Sequence, residues 1–246
     1  VPGTQPALAP LLPGIQTEGL PYLSFWHWIL AILFAAGIHE FSHGLIARLH
    51  GVPIKSSGFA FFGPLLAAFV EPDEKVVAKK SLMQQLAIFV AGPFSNILLG
   101  GLVFLFLIFA VGPLMTTIYE ENGIVVTQLM EGYPMAALNI SVPFTITAVN
   151  GEETLTAVSF QEQVSLLTPG EEVTLLTDQG SFLIVPSSHP DNSSAPFFGV
   201  TGLQYNYLLK DAYSSLEAFT GLIDWLKLLI VWIFAVNIGV ALFNLL

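Results

Sequence analysis

The chain has 246 residues, of which 54% are hydrophobic and only 10% charged, with a net charge of −11 and a mean hydropathy of +0.72. A soluble domain carries about 25% charged residues, so this composition excludes an ordinary soluble globule, and the apolar content excludes disorder. The acidic balance argues against a nucleic-acid partner, which needs clustered Lys and Arg. The absence of Cys excludes disulfides, thiolate zinc sites and thiol catalysis.

Residues 1–19 are Pro-rich without an apolar period and read as a tail. Residues 20–38 carry no formal charge, and about 20 apolar residues span a bilayer as a helix. The segment lacks a basic n-region and follows Pro-rich sequence, which argues against a cleavable signal peptide.

At its end stands His39-Glu40-Phe41-Ser42-His43, an H-E-x-x-H pattern. On a helix, residues four apart lie on one face, so two imidazoles can bind a single Zn²⁺. Glu40, next to the first of them, is then placed to take a proton from a water attacking a carbonyl. Arg48 follows only five residues after His43. At a rise of 1.5 Å per residue, His43 lies about 8 Å from that charge and Leu20 about 28 Å from His39. The site is therefore expected inside the bilayer, where ionisable groups are costly and mark function. The third zinc ligand is expected past Leu246. Glu217 and Asp224 fall near the far end of the last span, His27 near the outer face and His50 at the surface. Nothing places Glu71, Asp73 or Glu74 near the histidines.

Residues 56–70 are apolar but too short to span, and Gly58, Gly63 and Pro64 break any helix. Irregular backbone is tolerated at membrane depth only where protein or a water-filled cavity covers it. The segment reads as a re-entrant hairpin, with a loop on the membrane surface as the alternative. Residues 86–115 form a second uncharged span.

Residues 122–190 change character, with short β-rich runs between turn signals. Strands are expected at 124–130, 144–151 (running into an Asn-Gly turn), 172–177 and 181–185, a short helical patch at 134–139 and a helix at 157–167. Asn150-Gly151, Pro169-Gly170 and Asp178-Gln179-Gly180 mark the turns. The last uncharged run is 228–246.

Five of the seven basic residues (Arg48, Lys55, Lys75, Lys79, Lys80) lie between the first two spans. The positive-inside rule puts that loop in the cytoplasm and the tail and the 116–215 segment outside.

The β-rich segment resembles a PDZ domain of the kind fused to bacterial and archaeal proteases. GIVVTQLMEGYPMAALNI, FTITAVNGEE and LLTPGEEVTLL carry the likeness, without the usual basic residues. The chain as a whole resembles the site-2 protease family of intramembrane zinc metalloproteases. H-E-x-x-H (39–43), GFAFFGPLLAAFVEPDE (58–74), A-G-P-F-S-N (91–96) and F-N-L-L (243–246) match that family's motifs in order.

The resemblance implies a membrane α-helical fold with at least three transmembrane helices and a re-entrant β-hairpin, plus a small α+β PDZ-like extracytoplasmic domain. The expected divisions are 1–19, 20–115, 116–200 and 201–246, the last comprising a linker and the final helix. It implies Zn²⁺ held by His39 and His43, with Glu40 as general base. Asn96 and Asn244 would be polar groups near the site, and Gly58 and Phe59 would belong to the substrate-binding hairpin. The expected partners are a single-pass transmembrane protein substrate and the lipid bilayer. The rival reading is a non-catalytic membrane scaffold that binds helices and peptides, against which an intact Glu40 argues.

Overall fold

The computed structural model describes residues 13–14, 22–62 and 65–244. Nearly all of the expected 1–19 tail lies outside the described residues, as do Gly63 and Pro64. The chain divides into two compact units, Val1–Leu114 with Ala218–Leu246, and Met115–Glu217.

The first unit is built on helices α1 (Phe25–Leu49), α3 (Leu82–Phe106) and α6 (Thr220–Phe243), each pair of which is in contact. Ser24 caps α1, and Ser81 and Gln84 form a capping box at the start of α3. Among the described residues, three helical stretches are long and apolar enough to cross a membrane: Phe25–Leu49, Leu82–Ile118 and Asp211–Phe243. Their outward faces carry large apolar side chains such as Phe94, Leu98, Phe104 and Phe109. A patch of that extent suits lipid rather than water.

All three helices extend beyond the apolar runs that announce them. α1 continues through the H-E-x-x-H residues to Leu49 and stops at Gly51, whose φ of 69° ends the helix. α6 starts eight residues before the uncharged run, because Lys227 and Asp224, one turn apart, pair at 3.2 Å and offset each other's charge.

Small residues set the helix spacing. Ala31 and Ala35 of α1 pack on Trp232 and Val236 of α6. Gly100 lets α3 meet α6, for a Cβ there would lie 2.6 Å from Ile238 Cδ1. A polar clasp joins α1 and α6 at the other end. The ring of buried His27 bonds Trp225 O through Nε2 at 3.0 Å and Ser24 Oγ through Nδ1 at 2.6 Å. A carbonyl only accepts, so Nε2 carries the hydrogen and Nδ1 accepts from the Ser24 hydroxyl.

Between α1 and α3 the chain makes an antiparallel hairpin, β1 (Ile54–Phe62) and β2 (Leu65–Pro72), followed by one turn of helix, α2 (Glu74–Val77). β2 lies along α1. Asp73 caps α2 by accepting from Lys75 N at 3.0 Å and pairs with Lys55 at 3.6 Å. Desolvation pushes its carboxyl upward, but these hydrogen bonds and the Lys55 charge outweigh it and hold the pKa below the ordinary value.

After α3 the helix continues through a π turn (Leu107–Val111) into α4 (Gly112–Ile118). The second unit is an antiparallel sheet in the order β10-β3-β4-β6-β7. Its strands are β3 (Tyr119–Leu129), β4 (Phe144–Val149), β6 (Val173–Thr177), β7 (Gly180–Ile184) and β10 (Val200–Leu209); β5 (Glu152–Glu153) pairs with β4. A separate hairpin joins β8 (Ser187–His189) to β9 (Asn192–Phe197). Inward residues of the strands, among them Val126, Phe144, Ile146, Val173 and Leu175, build the core with Met135. Phe160 and Val164 of α5 (Ala157–Ser165) cover it. Asn150 and Gly151 turn the chain after β4 with φ of 50° and 85°, the left-handed pair that an Asn-Gly turn supplies.

Residues 201–209, expected within a linker, belong with Val200 to the edge strand β10. The outer edge of β10 pairs with no strand among the described residues. Charge is segregated as well. Between 115 and 217 the chain has twelve acidic residues and a single basic one, Lys210, so the whole net charge of −11 falls in this unit.

Candidate metal centre

His39 and His43 follow each other by one turn on α1, with ring centroids 4.8 Å apart and planes at 73°. α3 crosses them at Gly92. A Cβ built there would overlap Nε2 of both rings, at 2.5 Å in the case of His43. The two Nε2 atoms therefore converge on one point beside a backbone that only glycine allows.

The other ring nitrogens are engaged. His43 Nδ1 lies 2.6 Å from Ile88 O, so Nδ1 carries the hydrogen and the Nε2 lone pair is free. His39 Nδ1 lies 3.2 Å from the amide of Asn96, a residue with no solvent exposure. Asn96 Oδ1 is buried without a partner when Nδ2 is the atom facing the ring. The O and N positions of such an amide are interchangeable assignments. Turned over, the amide gives Oδ1 the His39 Nδ1–H, and His39 takes the same tautomer as His43. Metal-binding histidines commonly donate their second ring N–H in this way.

Glu40 projects from the same turn. Its Oε2 accepts the backbone N–H of Val70 at 3.0 Å, which fixes the carboxylate against β2. The approach depends on Gly44, one turn further on, where a Cβ would stand 2.9 Å from Val70 Cγ1. Beside His43 is a cavity of about 480 Å³ lined by Val70, Glu71, Glu74, Gln85 and Phe89. Two imidazole nitrogens with free lone pairs, backed by fixed hydrogen bonds, suit a zinc ion and would supply two of its ligands. Among the described residues no three His, Asp or Glu side chains converge to hold a metal.

The remaining expected residues are distributed as follows. Asn96 holds His39. Gly58 and Phe59 lie on β1, opposite Phe69 and Ala68, and Phe59 is exposed. Asn244 ends α6 in an exposed position with its amide on Val240 O at 2.8 Å. Sequence reasoning passed over Asn237, which α6 buries completely beside Gly100. The signal was present, since a polar residue inside an apolar span is costly.

The sequence model of peptidase family M50 matches residues 27–246. The chain belongs to that family, the site-2 proteases. Members are zinc metalloproteases acting within the membrane, and the three apolar helices fit a multi-pass integral membrane protein. An uncharacterised protein of Methanocaldococcus jannaschii is 41% identical over 73 residues. That stretch is 29% of this chain and 20% of the relative, so the chain matches about a fifth of the relative's length.

Proposed function

We propose that this M50 chain is a zinc-dependent endopeptidase that cleaves single-pass membrane proteins within the bilayer, in regulated intramembrane proteolysis. The convergence of His39 and His43 Nε2 on Gly92, with Glu40 on the same helical turn, carries this reading. His39 and His43 would hold the ion, which supplies Lewis-acid polarisation when bound. Glu40 is the general base. Val70 N–H occupies Oε2, leaving Oε1 to take the proton of the attacking water and pass it to the leaving amine.

A helical substrate hides its carbonyls, so it must unwind before attack. In this reading the hairpin is re-entrant and receives the unwound stretch as an added strand. Val70 bonds Glu40 rather than β1, so Ser57 opposite it turns its own N–H and C=O outward. By the antiparallel alternation Phe59 and Phe61 do the same. These three residues form the receiving edge of β1, next to Gly58. The basic residues between the first two spans favour a cytoplasmic loop at 48–80 and an active site toward that side. The acidic sheet unit is then a PDZ-like extracytoplasmic domain that limits which ectodomains reach the site.

The test uses the purified full-length protein in detergent with a fluorescent single-pass substrate. Glu40→Gln is expected to abolish cleavage while zinc content stays at the wild-type level. Cleavage surviving in that variant would overturn the assignment of the base. Wild-type protein that takes up no zinc would remove the metal centre altogether.

A further inference from the structure

Two fully buried asparagines line the seam between α3 and α6. Asn237 donates Nδ2 to Ile233 O at 2.7 Å, and its Oδ1 has no partner. Asn96, holding His39, also has a partnerless Oδ1. The two sit in one neighbourhood, because a Cβ on Gly100 would lie 3.8 Å from Asn237 Cβ. Asn96 precedes Gly100 by one turn on the same face, where Cβ atoms are about 5–6 Å apart. Together these separations put the Asn96 and Asn237 Cβ atoms within about 10 Å of each other, a gap that two amide side chains close with one ordered water between them, or directly where it is shorter.

A single reorientation satisfies every group. With the Asn96 amide turned over, Oδ1 accepts His39 Nδ1–H and Nδ2 takes the position of the oxygen that has no partner. The acceptor without a donor there is Asn237 Oδ1. We propose that Asn237 is a positioning residue of the metal centre. By accepting from Asn96 it fixes the amide in the orientation that holds the hydrogen on His39 Nδ1 and the lone pair on Nε2, toward Gly92. The chain of hydrogen bonds then runs from His39 through Asn96 and Asn237 to the Ile233 carbonyl. His43, anchored on Ile88 O, is outside it. Asn237 touches neither substrate nor metal in this role; it decides which face Asn96 presents to the ring.

The inference rests on the metal-centre reading above, and the experiment separates the two. Histidine-labelled protein is prepared metal-free in detergent, and the ¹⁵N signals of the His39 and His43 rings are read above the imidazole titration range. Wild-type protein is expected to show the Nδ1–H tautomer at both. Asn237→Leu keeps the branched shape but removes the acceptor, and is expected to give a tautomer mixture at His39 while His43 is unchanged. Zinc affinity, measured by chelator competition, is expected to fall about 10-fold or more, as for other outer-shell partners. Asn237→Gln, which keeps an amide donor and acceptor one methylene further out, is expected to restore both readouts in part. A wild-type His39 tautomer in Asn237→Leu overturns the proposal, and so does an equal disturbance of His39 and His43, which would mark a packing role. Failure of the wild-type protein to bind zinc sinks the metal-centre reading instead.

Discussion

Val70 donates its backbone N–H to Glu40 Oε2 at 3.0 Å, across thirty residues of sequence. The carboxylate beside the histidines is thus fixed by the hairpin and not by its own helix. Removing that donor should loosen the base without touching the imidazoles. Val70→Pro deletes the N–H, and because that group faces α1 the ladder to β1 survives. Cleavage is expected to fall at least about tenfold, part of the 10²–10⁴ that a positioned base contributes, with zinc content unchanged. Turnover at the wild-type rate would mean that the contact does not orient Glu40.

Gly92 offers a sharper probe of the metal centre. A methyl group there would overlap the Nε2 atoms of both histidines. Gly92→Ala should therefore expel zinc while adding a residue that favours the helix, by about 1 kcal/mol in intrinsic propensity. Metal analysis of the purified variant, with circular dichroism as the check on folding, decides the matter. Stoichiometric zinc in Gly92→Ala would show that the rings bind elsewhere.

The α3–α6 seam makes a separate prediction about stability. A Cβ on Gly100 would come within 2.6 Å of Ile238 Cδ1. Overpacking of this kind costs about 1–3 kcal/mol. Gly100→Val is expected to lower the thermal midpoint in detergent, whereas Gly101→Ala, with open space at its Cβ position, should leave it unchanged. Equal midpoints for the two variants would mean that the helices separate freely at this level.

Much of this arrangement is legible in the residues. The four-residue spacing of His39 and His43 places both rings on one face, and Asn150-Gly151 announces the turn after β4. The helix ends are harder to read. Asp224 and Lys227 look like a boundary until their pairing one turn apart is visible. In α6 nearly every side chain is apolar, so periodicity cannot tell which face is buried. Asn237 and Asn244 look alike for that reason, yet one is fully buried and the other caps the helix in an exposed position. β10 was legible locally, since Leu203, Tyr205 and Tyr207 alternate with Gln204 and Asn206 at the two-residue period of a strand, but most of the strand is exposed, so no core run marks it. Its place in the sheet comes from pairing with β3, a long-range partner that no local pattern encodes.

The open edge of β10 has a cost that its surroundings offset. A strand of ten residues with no partner on one side among the described residues, bearing exposed Leu203, Tyr205, Tyr207 and Leu208, invites another copy of the chain to pair with it. Two copies meeting there would each bring the unit that holds the entire net charge of −11. At low ionic strength the mutual repulsion keeps them apart. In about 1 M salt, where the Debye length shrinks to about 3 Å, or in acid that neutralises the carboxylates, that barrier disappears. The carboxylates of this unit thus serve as a colloidal guard on that edge, and the protein held in detergent micelles is expected to stay monodisperse in dilute neutral buffer and to self-associate as the charge is screened.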